Sequence, residues 1–262
     1  MRASTKIRYM GIIPARYQST RFPGKPLLKI DGKTMIQKVW ENASRAMDLV
    51  VIATDNEKIK NEAENFGGYV IMTSPEHPSG TDRCAEAVSL YEETTGMAID
   101  VVLNIQGDEP FLDPEQVKQL MSAYENPDVK IATLIKKIDQ NEEIFDINEP
   151  KVTIDLNNFA LYFSRFPIPF IRNREKEEWI NHAVYYKHIG MYGFTRETLR
   201  IISKMEKTSL EIAESLEQLR WLESGYPIKC LETDIDSLSV DSIEDLKKMK
   251  KLGILQNFQL PG

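Results

Sequence analysis

Apolar residues in the first third of the chain fall into short runs and helically spaced stripes that alternate. Met10 to Ile13 make a run that reads as a strand and ends at Pro14. Met35, Ile36, Val39, Trp40, Ala43 and Met47 then recur at helical spacing, predicting a helix with one apolar face over residues 34–47. A short buried strand over 49–53 leads into Thr54 and Asp55. A helix over 57–66 stops at Gly67 and Gly68, and a third strand covers 69–73. This β-α-β-α-β order predicts an α/β protein with a parallel sheet and helices on both faces.

The turn-rich loop SPEHPSGTDR, residues 74–83, follows, with Ser79 or Thr81 as N-cap of an amphipathic helix carrying Cys84, Val88 and Tyr91. DVVLNI, residues 100–105, is a fourth strand that empties into Gln106, Gly107 and Asp108. Asp113 and Pro114 open another helix as cap and first residue, and 130–136 is a further strand. An acidic linker over 142–149 precedes a hairpin of 151–155 with 159–163. The proline-broken segment FSRFPIPFIR, residues 163–172, sets Phe166, Ile168 and Phe170 at alternating positions, an apolar arm suited to a dimer contact. A strand over 187–194 contains His188 and Tyr192. Thr208 and Glu211 predict a capping box for one helix running to 221 or 222, with Glu217 and Gln218 in it. A last strand covers 227–233, and Asp241 with Glu244 predicts a second capping box for a final helix.

Charge adds the first chemical signal. The chain of 262 residues is net acidic at −7, yet its first thirty residues contain no Asp or Glu. The loop after the first strand carries Arg16, Arg21 and Lys25, with Pro14, Pro23, Gly24 and Pro26 fixing or freeing the backbone. Solvated surface cations are one reading of this loop. An anion cradle at the carboxyl edge of an α/β sheet is the other. The spacing is neither GxGxxG nor GxxxxGK[ST], so a dinucleotide fold or P-loop is not implied. Asp108, immediately past a buried strand and beside Gly107, suits either a turn cap or a metal ligand.

The acidic balance argues against general nucleic-acid binding. Apolar runs fall far short of the ~20 residues a membrane helix needs. The basic amino terminus gives way at once to the first strand, so no cleaved leader is expected. Cys84 and Cys230 lack metal-ligand spacing and read as buried thiols in a reducing cytoplasm.

Three motifs stand in one order: IPARYQSTRFPGKPL at 13–27, HPSGTDR at 77–83 and NIQGDEP at 104–110. Together they closely resemble the 3-deoxy-manno-octulosonate (Kdo) cytidylyltransferase family. The resemblance continues through ALYFSR, HIGMYGF, LEQLRWL and VDSIEDL and covers nearly the whole chain. Phe166 and residues 170–178 depart from the family's pattern.

The resemblance implies a GT-A-like nucleotidyltransferase fold with a mixed, predominantly parallel sheet and a β-rich insertion, as one domain. Residues 1–140 would mainly bind CTP, 141–235 would bind sugar and dimerise, and 236–262 would bring a metal Asp and the last helix. The implied enzyme is a cytoplasmic, Mg²⁺-dependent homodimer that makes CMP-Kdo and diphosphate from CTP and Kdo for lipopolysaccharide assembly. Arg16, Ser19, Arg21 and Lys25 would hold the CTP phosphates, and Ser79, Gly80, Arg83 and Gln106 the cytidine. Asp108 and Asp241 would hold Mg²⁺, while Arg165, His188, Tyr192, Glu217 and Gln218 would face the sugar acid.

Two rival readings remain open: a cytidylyltransferase for another acidic sugar, such as sialic acid, against which STRFPGKPL argues, or an amino-substituted Kdo, and a nucleotide binder without chemistry. The second has no use for both Asp108 and Asp241. Arg21→Ala is expected to weaken CTP binding roughly tenfold or more through a lost charged hydrogen bond. Calorimetric titration checks it, and unchanged affinity would count against the cradle.

Overall fold

The computed structural model describes residues 6–18 and 22–261 and divides into two compact units: residues up to 118 with 237 onward, and residues 119–236. The predicted Ser19 and Arg21 sites lie outside the described residues.

In chain order the first unit has β1 (Tyr9–Ala15), β2 (Lys29–Ile30), β3 (Lys33–Thr34), α1 (Met35–Ser44), β4 (Val50–Thr54), α2 (Glu57–Asn65), β5 (Tyr69–Met72), α3 (Gly80–Thr95), β6 (Val101–Asn104) and α4 (Pro114–Ser122), the last running past its edge. The second has β7 (Ile131–Lys137), α5 (Asn141–Ile144), β8 (Lys151–Ile154), β9 (Ala160–Ser164), β10 (Tyr186–Thr195), α6 (Arg196–Ile202), α7 (Ser209–Glu214), α8 (Gln218–Glu223) and β11 (Ile228–Glu232). The chain then returns to the first unit with α9 (Ile243–Lys251) and β12 (Phe258–Gln259). No helix among the described residues is long and apolar enough to cross a membrane.

In the first unit β1 pairs in parallel with β4 and β6, and β4 with β5. All five residues of β4, VVIAT, are buried, as a strand covered on both faces requires. Asn56 caps α2 by accepting from the Lys58 and Ile59 amides, and Ser79 caps α3. Because α3 already begins at Gly80, Arg83 lies in its first turn and not in the preceding loop, where the sequence placed it.

The small antiparallel sheet β12-β2-β3 had no clear sequence signal, since two-residue strands carry no period. It packs Leu28, Ile30 and Met35 against Val240, Leu246, Met249 and Leu255, so the two ends of the chain share one apolar cluster. That cluster sets the neighbourhood of Lys25 and Asp241.

The second unit mixes strand directions. β7 pairs in parallel with β11 and antiparallel with β10, and β8 pairs antiparallel with β10 and β9, forming the expected hairpin. The acidic linker contains a helical turn, α5, whose Ile144 is buried beside Ile138, Trp179 and Tyr185. Phe166 and Phe170 are exposed as expected, with Phe170 edge-on to Trp179.

The helix expected to run unbroken to 221 or 222 is instead two helices, divided where Ser215 takes a left-handed conformation (φ 53°). The Thr208–Glu211 capping box does not form. Glu211 turns both carboxylate oxygens to the Arg220 guanidinium, at 2.6 and 2.7 Å, in a buried pair. A bidentate charged pair outcompetes a cap for the same oxygens. Glu211→Ala strands the buried Arg220 charge and is expected to cost about 3 kcal/mol or more of unfolding free energy. Urea denaturation measures it, and an unshifted midpoint would contradict the pair's structural role.

Candidate active site

The basic loop is closed at its base, where the Gly24 amide donates to the Tyr17 carbonyl at 2.8 Å. Gly24 itself is left-handed (φ 72°), a conformation that favours glycine, and it launches a short 3₁₀ turn, Lys25–Leu27. Lys25 therefore leaves the loop in a fixed direction. Its Nζ donates to Asp108 Oδ2 at 2.8 Å and to Asp241 Oδ1 at 3.1 Å.

Each carboxylate arrives by a different device. Asp108 follows β6 through Gly107, where an added Cβ would stand 2.9 Å from the Pro14 carbonyl oxygen; only glycine lets this turn lie on the end of β1. Asp241 is drawn in because the Val240 amide donates to the Asp108 carbonyl at 2.9 Å. The expected Asp241–Glu244 capping box is displaced by one residue. Ser242 is the N-cap of α9 and Asp245 its reciprocal partner, so the Asp241 carboxylate stays available. A cap and a metal-ligand role for Asp241 would compete for the same oxygens. The structure removes that competition.

Burial alone would lower the Lys25 pKa, but Asp108 and then Asp241 outweigh it and raise it above the ordinary lysine value. Glu109, buried next to this pair, is pushed up to about 7 by burial against a hydrogen bond from Ser237, with Asp108 and Asp241 adding to the rise. The sequence reading passed over Glu109, because an acid before a proline in a turn looks like surface.

Two hard carboxylates gathered around one cation fit a magnesium ion by donor chemistry. No cluster of three or more His, Cys, Asp or Glu suited to a metal occurs among the described residues. The pair thus matches a metal that takes one or two protein carboxylates and completes its shell with water and substrate phosphate.

Around this centre the first unit places the remaining predicted nucleotide residues. Arg16 is half-buried just past β1 and makes no ion pair with a described residue. Ser79 Oγ caps α3, bonded to Asp82, and a Cβ on Gly80 would meet Pro14 Cγ at 3.2 Å, so this helix end also sits on the end of β1. Gln106 is half-buried after β6. Arg83 is different: fully buried, it donates to Thr73 Oγ1 at 2.6 Å and Asp55 Oδ2 at 3.0 Å. Its guanidinium joins the ends of β4 and β5 to α3.

Asn104, at the end of β6, escaped the sequence reading although its Oδ1 is buried without a hydrogen-bond partner among the described residues. The signal was there: a polar residue ending an apolar strand at the sheet's carboxyl edge.

In the second unit His188 and Tyr192 are neighbours, with ring centroids 5.1 Å apart. His188 meets Thr133 Oγ1 at 3.0 Å, and burial pushes its pKa down to about 3, so it is neutral at physiological pH. Tyr192 is buried against Phe194 and Trp221, and burial, with Cys230 and Glu217 adding to it, raises its pKa. Glu217 stands at the N-cap position of α8 and Gln218 opens the helix; the Gln218 Nε2 is buried with no partner among the described residues. Arg165 is used locally, donating to the carbonyls of Ile147, Glu214 and Ser215.

Lys25 held between paired carboxylates at the carboxyl ends of parallel strands is an arrangement suited to nucleotidyl transfer. The cytidylyltransferase family profile matches residues 10–237. A 3-deoxy-manno-octulosonate cytidylyltransferase of Bacteroides thetaiotaomicron is 48% identical over 244 residues, covering 92% of this chain and 96% of the relative. Its counterpart in Cytophaga hutchinsonii is 47% identical over 249 residues, covering 94% and 98%. A solved structure of a CMP:2-keto-3-deoxy-manno-octonic acid synthetase complexed with CTP superimposes with TM-score 0.84 at 37% identity, covering 94% of this chain and 98% of that one. The chain belongs to the 3-deoxy-manno-octulosonate cytidylyltransferase family, and its fold is a nucleotidyltransferase fold.

Gly107→Ala is expected to destabilise the chain by about 1–3 kcal/mol, because the new methyl must displace backbone rather than a flexible side chain. Urea unfolding reads this directly, and an unchanged midpoint would mean that the turn relaxes freely.

Proposed function

We propose that this chain transfers CMP from CTP to the anomeric hydroxyl of Kdo, giving CMP-Kdo and diphosphate. The observation that carries the reading is the convergence of Lys25, Asp108 and Asp241, three residues of the motifs that carry the family resemblance, on one point. In the transfer the sugar hydroxyl oxygen forms a bond to the α-phosphorus, the bond to the diphosphate oxygen breaks, and the hydroxyl proton is lost to solvent or a nearby base. No covalent enzyme intermediate is needed.

Arg16, Ser19, Arg21 and Lys25 bind and orient the triphosphate, placing positive charge where it accumulates on the departing diphosphate. Arg contributes planar paired donors and Lys a point charge. Asp108 and Asp241 would hold Mg²⁺, which when bound supplies the strongest local field for the developing phosphate charge. Ser79, Gly80 and Gln106 seat the cytidine, with Arg83 bracing the wall behind them.

Gln218, with its buried unpartnered amide, and Glu217, Tyr192 and the neutral His188 present hydrogen-bonding groups to the sugar acid. Arg165 is assigned to the same side, where its guanidinium fixes the turn between α7 and α8. A homodimer using the exposed Phe166 and Phe170 arm, a cytoplasmic setting and a role in lipopolysaccharide assembly complete the reading.

The test is diphosphate release from CTP and Mg²⁺ with Kdo, amino-substituted Kdo and sialic acid supplied in parallel. Release dependent on Kdo supports the proposal, whereas preference for another acid keeps the chemistry and changes the substrate. Asp108→Asn is expected to lower kcat by at least about a hundredfold, on the scale of a lost electrostatic group, while CTP still binds. Undiminished turnover would remove Asp108 from the metal site.

A further inference from the structure

The loop between β5 and α3 is held from one side chain that the chemistry does not use. Glu86, at the end of the second turn of α3, accepts at a single oxygen, Oε2, from the Ser74 amide at 2.8 Å and meets His77 Nε2 at the same oxygen. Ser74 is where the loop leaves the sheet and His77 is its middle. One carboxylate thus fixes both. Burial works against ionisation of Glu86, but the bonds from His77 and Ser74 prevail and hold its carboxyl below the ordinary glutamate value.

Neighbouring anchors complete the frame. Arg83, one turn earlier on the same helix, reaches Thr73 at the end of β5, and Ser79 is tied to Asp82. From residue 73 to residue 79 the loop is therefore fastened at four points, all to the first two turns of α3. Glu86 supplies two of them.

We propose that Glu86 is a positioning residue for nucleotide recognition, presetting through Ser74 and His77 the loop that offers Ser79 and Gly80 to the cytosine ring. This rests on the reading of that loop as the cytidine seat. A loop ordered in advance avoids the entropy of being ordered by the ligand, and that difference falls on CTP affinity and not on the chemical step.

Glu86→Ala and Glu86→Gln in the full chain test it by steady-state kinetics, varying each substrate in turn, with CTP affinity by calorimetry and the thermal midpoint alongside. With one or two loop residues left for the ligand to order, Glu86→Ala should raise the Kd and KM for CTP roughly tenfold. The kcat should stay within about twofold and the KM for the sugar acid should not move. Glu86→Gln should recover most of the CTP affinity, because its carbonyl oxygen can still accept from the Ser74 amide and from the His77 ring. An unchanged KM for CTP in Glu86→Ala overturns the proposal. So does a common fall in kcat and thermal midpoint that Glu86→Gln fails to rescue, since that pattern marks a merely structural residue.

Hydrogen exchange on the unsubstituted protein separates the two levels. Protection of the 74–80 amides by CTP supports the loop as the nucleotide seat. Its absence overturns that reading and the proposal with it, whereas protection combined with unaltered affinity in Glu86→Ala overturns the proposal alone.

Discussion

The ion pairs of Lys25 with Asp108 and Asp241 are what the first unit is arranged to make. Lys25 and Asp241 are 216 positions apart in sequence, so the contact requires the last segment of the chain to fold back on the first. Exposed ion pairs are too weak to accomplish that. The work falls to apolar burial, with Leu28, Ile30 and Met35 from one end packed on Val240, Leu246 and Met249 from the other. The strand pair β12–β2 and the Val240-to-Asp108 hydrogen bond then set the register within which the charges meet.

The buried charges away from this centre are each held by a polar partner. Arg83 lies with Asp55 and Thr73, and Arg220 with Glu211, while Lys151 donates to the Asp146 carbonyl. Such pairs contribute little net stability over an apolar replacement, but they penalise any arrangement that separates them. Their effect here is geometric. Arg83 fixes α3 to the strand ends, and Arg220 folds α8 back toward α7.

The parallel core was legible because β-branched runs such as VVIAT alternate with amphipathic stripes, and because Ser79 and Gly67 mark helix ends in the sequence itself. The motif residues Lys25, Asp108 and Asp241 were legible as a set only through resemblance, since nothing local joins positions so far apart. Errors arose where one side chain had two uses. Glu211 fits a capping box by spacing, yet Arg220 captures it; Asp241 fits one too, yet Ser242 and Asp245 form it. HPSGTDR alone does not show that Arg83 is engaged by Asp55 and Thr73, which lie just past β4 and β5. In each case the deciding partner is remote or competes from an adjacent position, and a local pattern carries no information about it.

The charge balance of the first unit's centre explains why cations and carboxylates occur together there. A site of cations alone would bind a triphosphate well in its ground state, and uniform binding does not accelerate transfer. A site of carboxylates alone would repel it. Lys25 has three N–H donors, and the two carboxylates engage it through two hydrogen bonds, leaving donor capacity for a phosphate oxygen. The acids hold the ammonium in one place, at 2.8 and 3.1 Å from its Nζ. Gly24 and Gly107, one aiming the lysine and the other seating the aspartate, are the backbone conditions for that preorganisation.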